Sequence, residues 1–209
     1  MKQSIFSKND PLNKVVMRVV MKQVMRDMPA KLLSEAGLHA AQMAVPHFAM
    51  HLEGLKKYGI GIFASLPDEI DTQPLDDWLI EAKIPRFFPF WQEKLQTMKF
   101  RAIPENIKIS ALKHSLFKVP EILKNTEERL ACELRFILVP GLAFDGRKNR
   151  LGRGMGCYDR VIASIQALNM VHEKTFSIAL DCQILSSIPV DHHDKAVDMI
   201  FTPTRSIIN

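Results

Sequence analysis

The sequence predicts an α/β fold with a central, mostly parallel sheet that is flanked by helices on both faces. The first observation is the run Phe136–Val139, which is apolar throughout, as is typical of a strand buried on both faces of a sheet. The second is that similar runs alternate along the chain with segments of helical spacing. Because strands that alternate with helices form sheets covered on both sides, we expect this architecture, with two lobes around a ligand cleft in one domain of residues 1–209.

The N-terminal part of the chain predicts three helices. Asp10 followed by Pro11 is a typical helix start, in which a capping carboxylate precedes a proline of the first turn. A second helix is expected over residues 34–45, because it begins on a serine and is followed by an interrupting proline. A third is expected over residues 47–58, before a glycine. In the first helix, Lys14, Arg18 and Lys22 share one face, whereas Leu12, Val15, Val16, Val19 and Gln23 follow the spacing of another.

The rest of the chain predicts further strands and two helices. Residues 60–64 are apolar and bounded by turn residues, which indicates a strand, and residues 71–82 place their large apolar side chains on one helical face. Residues 84–90 contain two prolines, which predict an edge or irregular strand. Residues 110–133 are polar and indicate no regular element. Later strands are expected at 136–139, 175–180 and 199–201, and a helix from about Tyr158 to Leu168.

The composition excludes several classes of protein. The 209 residues, 47% hydrophobic and 24% charged, are typical of a globular protein. No apolar run approaches the ~18 residues of a membrane span, and the N-terminus lacks the apolar core of a signal peptide. The three cysteines, Cys132, Cys157 and Cys182, are odd in number and lack close spacing, which fits a reducing compartment. We therefore expect a cytoplasmic protein without a membrane partner.

The net charge of +5 favours an anionic partner. The one basic cluster of the sequence is interleaved with glycines, which indicates a compact anion rather than a nucleic acid. We find no helix-turn-helix, finger or RNA-binding pattern, so we expect no nucleic-acid partner. The cluster consists of Arg147, Lys148, Arg150, Arg153 and Arg160.

The stretch Leu138–Arg160, LVPGLAFDGRKNRLGRGMGCYDR, carries the functional signal. It follows a predicted buried strand and leads into a helix, whose N-terminus favours anions. Its three alternating glycines allow close approach of the backbone, and successive N–H groups in such a turn can form an anion-binding nest. Arg150 and Arg153 can supply guanidinium forks that match phosphate oxygens. The sequence therefore predicts a phosphate site for a nucleotide, with a plain structural turn as the alternative.

The same stretch resembles the signature of the 5-formyltetrahydrofolate cyclo-ligases, roughly PGxAFDxxGxRLGxGxGYYDR. Weaker matches follow in order, among them Lys14–Arg18, Asp68–Thr72 and Phe117–Glu121. The resemblance implies an ATP- and Mg²⁺-dependent conversion of 5-formyltetrahydrofolate to 5,10-methenyltetrahydrofolate, with release of ADP and phosphate. Phosphoryl transfer to the formyl oxygen would create a leaving group, and N10 of the folate would close the ring. It also implies a cytoplasmic, monomeric enzyme whose partners are these two small molecules.

The resemblance implies roles for individual residues as well. Arg150 and Tyr158 are implied as catalytic. From the residues alone, Asp159 is equally a favourable first-turn acid of a helix, and Phe117 is equally a core residue. The residues implied for ATP are Lys14, Arg18, Arg150, Leu151, Gly152, Arg153, Gly154, Met155, Gly156, Cys157 and Tyr158; those implied for the folate are Ala64, Glu69 and Phe117, and those for Mg²⁺ are Asp159 and Asp194.

The sequence departs from the family pattern at positions next to the expected site. Lys148 stands where the family has glycine, and Cys157 replaces the first tyrosine of GYYDR. We interpret the Cys157 thiol as a packing group rather than a nucleophile. Asp145 could assist the metal, position Arg150 or cap its own turn. The departures leave open a second hypothesis, a non-catalytic relative that binds nucleotide or folate.

Overall fold

The computed structural model describes residues 11–112, 119–168 and 174–208. Its helices are α1 (Pro11–Arg26), α2 (Ala30–Ala49), α3 (Leu52–Tyr58), α4 (Gln73–Glu81) and α5 (Cys157–Gln166). Its strands are β1 (Ile60–Gly61), β2 (Arg86–Gln92), β3 (Thr97–Ile103), β4 (Glu128–Leu130), β5 (Phe136–Leu138), β6 (Ala143–Asp145), β7 (Arg150–Leu151), β8 (Thr175–Ile178), β9 (Ile184–Leu185), β10 (Met199–Phe201) and β11 (Ser206–Ile207). None of the helices within the described ranges is both long and apolar enough to cross a bilayer.

Most strands belong to one large mixed sheet. Its order is β11-β10-β8-β5-β1-β2-β3-β4, and the five strands from β10 to β2 run parallel. β11 is antiparallel to β10 at one edge; near the other edge, β3 is antiparallel to both of its neighbours, β2 and β4. A second, small sheet has the order β7-β6-β9. The predicted α/β class and mostly parallel sheet are confirmed.

The central strand β5 shows why the fold has helices on both faces. Phe136 and Leu138 belong to the core cluster that includes apolar side chains of α2, α3 and α4. Ile137 and Val139 belong to the cluster formed with α5. Since successive side chains of a strand point to opposite faces, an uninterrupted apolar run is needed where both faces are covered. The prediction made from this run is confirmed.

The edge position expected for residues 84–90 is wrong. β2 lies inside the large sheet, antiparallel to β3 along its whole length and parallel to β1 only at Arg86 and Phe87. The carbonyl of Phe87 accepts a hydrogen bond from Ile62, so Phe87 presents its backbone to β1. Pro89, two residues on, faces the same side beyond the paired part of β1. Its missing N–H therefore removes no bond to β3.

The boundary expected between the second and third helices also differs. α2 begins at Ala30 after Pro29, and it continues through Pro46 instead of stopping there. Pro46 removes one helical hydrogen bond near the helix end, where burial of residues such as Ala44 and Phe48 compensates. Ser34, expected as the cap, instead bonds its hydroxyl to the Asp71 carboxylate. The segment 47–58 is divided between the end of α2 and α3.

Most of the buried face of α1 packs against the small sheet, and Met25 near its C-terminal end joins the core cluster on the large sheet. Met17 and Met21 contact a cluster that contains Leu142 and Leu151. Val15 and Val19, on the other side of the helix, are exposed. The face that packs is therefore the one next to Lys14 and Arg18, which brings Arg18 to the loop that follows β7 and Lys14 to Asp191 and Asp194.

The polar segment 110–133 contains more regular structure than the sequence indicates. β4 lies within it and pairs with β3 at the edge of the sheet. A short edge strand carries charged residues towards solvent, which explains why its sequence lacks an apolar run. Phe117, expected near the folate, lies outside the described residues.

Candidate active site

The cavity of interest lies where the carboxyl ends of two central strands meet the small sheet. Pro140 and Gly141 follow β5, and Glu69 lies in the connection that follows β1. The carboxyl ends of parallel strands are the usual ligand position in open α/β sheets. The cavity has a volume of about 410 Å³ and is lined by Lys14, Arg18, Glu69, Pro140, Gly141, Arg150, Leu151, Gly152, Arg153, Gly154, Met155, Gly156, Cys157, Tyr158, Asp159, His193 and Asp194.

The loop Gly152–Gly156 forms one wall of this cavity. Gly154 and Gly156 have φ values of +108° and +67°, in the region that glycine adopts without a steric penalty. Gly156 also directly precedes α5, so the N–H groups of the first turn of α5 are available to an anion. The loop leads into a helix as the glycine pattern predicts, but the strand directly before it is β7 of the small sheet, because β6 and β7 lie between the loop and the predicted strand at 136–139.

Arg150 is buried beneath the loop and held at two points. Its Nη1 donates to the Pro140 carbonyl at 3.1 Å, and its Nη2 lies 2.8 Å from Oδ1 of Asp159. Its Nε has no hydrogen-bond partner within the described part of the chain, although it is buried. Gly152 permits this position, because a Cβ there would lie 2.7 Å from Nη1. A guanidinium that is preorganised in this way, with a donor unused, suits an anion entering the cavity.

Lys14 and Arg18 reach the cavity from α1. Nζ of Lys14 contacts Oδ2 of Asp191 at 2.6 Å and also contacts Oδ2 of Asp194. Arg18 donates from Nε to the Gly152 carbonyl at 3.0 Å and makes no ion pair with any residue in the described ranges. The two cations lie one helical turn apart, as expected, and line the same cavity.

Arg153 spans the cavity between the glycine loop and the β1–α4 connection. Its Nε donates to Oε1 of Glu69 at 3.0 Å, and its Nη2 donates to Oδ1 of Asp68 at 2.9 Å. The other oxygen of Glu69 accepts the backbone N–H of Leu66 at 3.0 Å. In this structure Arg153 therefore faces carboxylates that precede α4.

The two carboxylates expected to hold Mg²⁺ lie at the same end of the cavity. Oδ1 of Asp159 accepts the backbone N–H of Lys195, which joins the start of α5 to the loop containing Asp194. Ligand atoms of Asp191, His193 and Asp194 lie within 4.8 Å of one another. A hydrogen bond from Lys14 lowers the pKa of Asp191, so this carboxylate is charged at neutral pH. Hard oxygen donors beside this cationic cavity fit Mg²⁺, which prefers a few carboxylates, waters and phosphate oxygens.

Asp145 has a structural role. Its Oδ1 accepts hydrogen bonds from the backbone N–H groups of Arg147 and Asn149. Its Oδ2 accepts from the backbone N–H of Ile188 and from the side-chain amide of Asn149. Of the three roles left open for Asp145, turn capping is the one that these contacts support. Lys148 adopts φ +66°, so this lysine keeps the backbone conformation that glycine would adopt there.

The two residues at the start of α5 are both buried. Burial raises the pKa of the Cys157 thiol, which packs in the core cluster of α5. Burial, and to a lesser extent the charge of Glu69, raises the pKa of Tyr158. The Tyr158 hydroxyl lacks a hydrogen-bond partner among the described residues. Tyr158 is thus a neutral donor available to a ligand, and Cys157 is a protonated thiol with poor nucleophilicity.

The structure brings most predicted site residues together. All of them line this cavity except Ala64, which is buried in the core with α2–α4, and Phe117, which lies outside the described residues. Sequence reasoning missed the partners Asp68 and Asp191, whose contacts with Arg153 and Lys14 join distant parts of the chain. Proximity of Asp68 to Glu69 was the one local signal for the first of these.

Comparison with known proteins gives a consistent result. The profile of the 5-formyltetrahydrofolate cyclo-ligase family matches residues 13–203. The 5-formyltetrahydrofolate cyclo-ligase of Mus musculus is 30% identical over 188 residues, which cover 88% of this chain and 90% of that protein.

Two solved structures share the fold. A 5,10-methenyltetrahydrofolate synthetase from Mycoplasma pneumoniae aligns with a TM-score of 0.68 at 16% identity, covering 91% of this chain and 99% of that one. That of Aquifex aeolicus aligns with a TM-score of 0.71 at 20% identity, covering 92% and 91%. From its signature loop, its sheet and the extent of the family match, the chain belongs to the 5-formyltetrahydrofolate cyclo-ligase family.

Proposed function

We propose that this enzyme converts 5-formyltetrahydrofolate to 5,10-methenyltetrahydrofolate at the expense of ATP. The observation that carries the proposal is one cavity in which a glycine loop, a helix N-terminus and four cationic side chains converge beside Glu69. Lys14, Arg18, Arg150 and Arg153 supply the positive charge. This arrangement suits a triphosphate better than a singly charged anion. The family membership supports the folate as the second substrate.

The reaction needs activation of a poor electrophile. The formyl oxygen of the folate attacks the γ-phosphorus of ATP, so that an O–P bond forms, the bond between the β,γ-bridging oxygen and the γ-phosphorus breaks, and ADP leaves. N10 then attacks the formyl carbon and loses its proton. Cleavage of the carbon–oxygen bond releases phosphate and leaves the methenyl bridge. The protein contributes positioning and charge neutralisation rather than a covalent bond.

On this proposal the cations hold the triphosphate in line with the formyl oxygen. Arg150 has an unused buried Nε, and Arg18 has no carboxylate partner among the described residues, so both have donors available to phosphate oxygens. The N–H groups of the loop and of the first turn of α5 supply further donors. Leu151 and Met155 complete the wall of the site. Tyr158, which stays protonated, can donate to the oxygen that receives the phosphoryl group.

Asp159 and Asp194 would hold Mg²⁺, which would neutralise phosphate charge when bound. In the structure, each of these carboxylates is paired with a cation of the phosphate site, Asp159 with Arg150 and Asp194 with Lys14. The same groups that would bind the metal and the triphosphate are thus charge-balanced with one another before either binds.

The folate is expected against Glu69. A carboxylate can accept two hydrogen bonds from the amino-pyrimidine edge of a pterin, and Glu69 faces the cavity. Roles for Ala64 and Phe117 rest on the resemblance alone. We further propose a monomeric, single-domain, cytoplasmic enzyme; the three free cysteines support the reducing compartment. Light scattering after size-exclusion chromatography tests the monomer.

The decisive experiment is turnover of purified protein with ATP, Mg²⁺ and 5-formyltetrahydrofolate, followed by the absorbance of the methenyl product. We expect product that depends on both ATP and Mg²⁺, with one ADP released per methenyl formed. Tight folate binding without product would instead support the non-catalytic relative. No binding of either substrate would refute the proposal.

A pair of variants on α1 tests the phosphate role. Arg18→Met removes a cation at the cavity without breaking an ion pair of the described residues, so we expect about a tenfold rise in KM for ATP. Lys22→Met removes the cation one turn further along, which does not line the cavity, and should leave KM unchanged. Equal kinetics in the two variants would contradict the phosphate role of Arg18.

A further inference from the structure

The position of Arg153 carries an inference about how the two substrates bind, which rests on the proposed function. Arg153 belongs to the loop proposed to bind phosphate, yet its guanidinium bonds to Asp68 and Glu69. Glu69 is the carboxylate proposed for the pterin, whereas Asp68 does not line the cavity. One cation thus stands between the two proposed substrate sites.

We propose that Arg153 is a shared cation that makes ATP and the folate bind cooperatively, and that Asp68 is the positioning residue that sets the strength of this coupling. The folate must compete with Nε of Arg153 for Oε1 of Glu69. A triphosphate must attract the same guanidinium away from Asp68 and Glu69. Either substrate, when it binds alone, must break these contacts, and its affinity is lowered by the free energy this requires.

When both substrates bind, the contacts are broken once rather than twice. The free energy needed to break the contacts is then spent only once, so the two bindings are coupled. By thermodynamic linkage each substrate raises the affinity for the other by the same factor. The ion pairs are partly shielded, with side-chain exposures of 30% for Arg153, 17% for Asp68 and 13% for Glu69. For contacts of this kind we expect a coupling factor of about ten.

Asp68→Asn tests the coupling alone, because it weakens the ion pair with Arg153 and leaves Glu69 in place. Each substrate alone should then bind several-fold more tightly than it binds the wild type. The coupling factor should fall by the same amount, so that affinity in the presence of the other substrate is unchanged. A residue with a merely structural role would weaken binding when replaced, which is the opposite sign.

The chain offers a matched control. Glu128 is a partly exposed carboxylate that pairs with Lys99 and Arg101 at 2.6 and 2.9 Å, on the strands β3 and β4. It does not line the cavity. Glu128→Gln should therefore change neither the separate affinities nor the coupling factor.

The experiment is calorimetric titration of the full chain with a β,γ-methylene ATP analogue and Mg²⁺, with and without saturating 5-formyltetrahydrofolate, and the reverse titration. Reciprocal coupling in the wild type that is reduced in Asp68→Asn but not in Glu128→Gln supports the inference. Both ligands binding independently in the wild type, or coupling unchanged in folded Asp68→Asn, would overturn it and leave the proposed function intact. Failure of both ligands to bind would overturn the two together.

Discussion

The substitution Gly152→Ala tests whether the position of Arg150 matters for the site. A Cβ at residue 152 would lie 2.7 Å from Nη1 of Arg150, well inside the 3.4 Å at which ordinary contacts begin. Gly152 does not have a positive φ, so the alanine backbone is unstrained. The perturbation is therefore confined to the guanidinium.

Arg150 cannot move away without loss. Its guanidinium is buried and bonded to the Pro140 carbonyl and to Asp159, at 3.1 and 2.8 Å. A shift of Nη1 that relieves the contact weakens the bond to the carbonyl, and a hydrogen bond from a charged group contributes about 1.5–3 kcal/mol. Because the bond is weakened rather than removed, we expect the free energy of unfolding to fall by about 1–2 kcal/mol. A chain of this length would melt about 2–8 °C lower.

The same displacement should weaken nucleotide binding. If the guanidinium contacts a phosphate oxygen, about 1.4 kcal/mol of lost interaction corresponds to a tenfold weaker affinity for a β,γ-methylene ATP analogue. Gly146→Ala is the matched control in the preceding turn, because a Cβ there has no atom within 4 Å. If Gly152→Ala and Gly146→Ala bind the analogue equally well, the reasoning that Arg150 is a positioned phosphate ligand is refuted.

Three further predictions concern other residues. Cys157→Ala should retain turnover within about threefold, because burial raises the pKa of the thiol and leaves it protonated; loss of all turnover in a folded variant would instead indicate a chemical role. Lys83 ends α4 in the left-handed conformation at φ +55°, next to Ile84, whose N–H donates to the Leu79 carbonyl. Because glycine adopts this conformation without strain, Lys83→Gly should raise the free energy of unfolding by about 1 kcal/mol in a urea titration. No gain would show that the lysine is unstrained there. Burial lowers the pKa of Lys174 below the 10.5 of the unfolded chain, so between the folded pKa and 10.5 the unfolded chain binds more protons. In that pH window the stability of the wild type relative to Lys174→Met should therefore rise with pH. A difference in urea midpoints that does not change with pH would contradict this.

Much of the proposed phosphate site could be predicted from the sequence because its requirements are local. Gly154 and Gly156 occupy positive φ, Arg150 precedes the loop, and the helix follows at once, so adjacent residues encode the whole arrangement. Asp194, the carboxylate proposed for Mg²⁺, lies in a stretch of sequence that fits a solvated loop equally well. The structure adds the convergence of its ligand atoms with those of Asp191.

The edge position predicted for residues 84–90 was wrong because it depends on the length of a neighbouring strand. Two prolines predict that a strand has an unpaired side, and β2 does have one, beyond the end of β1. What the prolines cannot reveal is that β1 is short, so that the unpaired part lies inside the sheet. The same holds for Pro46, where packing of α2 on the sheet outweighs one missing hydrogen bond.

The amino-acid sequence alone determined the α/β class, the family and the glycine loop proposed to bind an anion, because apolar periodicity and glycine placement act between neighbouring residues. Only the tertiary structure decided which charges meet: Lys14 with Asp191, 177 positions away, and Arg153 with Asp68, 85 positions away. An ion pair needs proximity in space and leaves no periodic pattern along the chain. The pairing of cations with carboxylates across the cavity, from which cooperative substrate binding is inferred, is therefore a property of the fold.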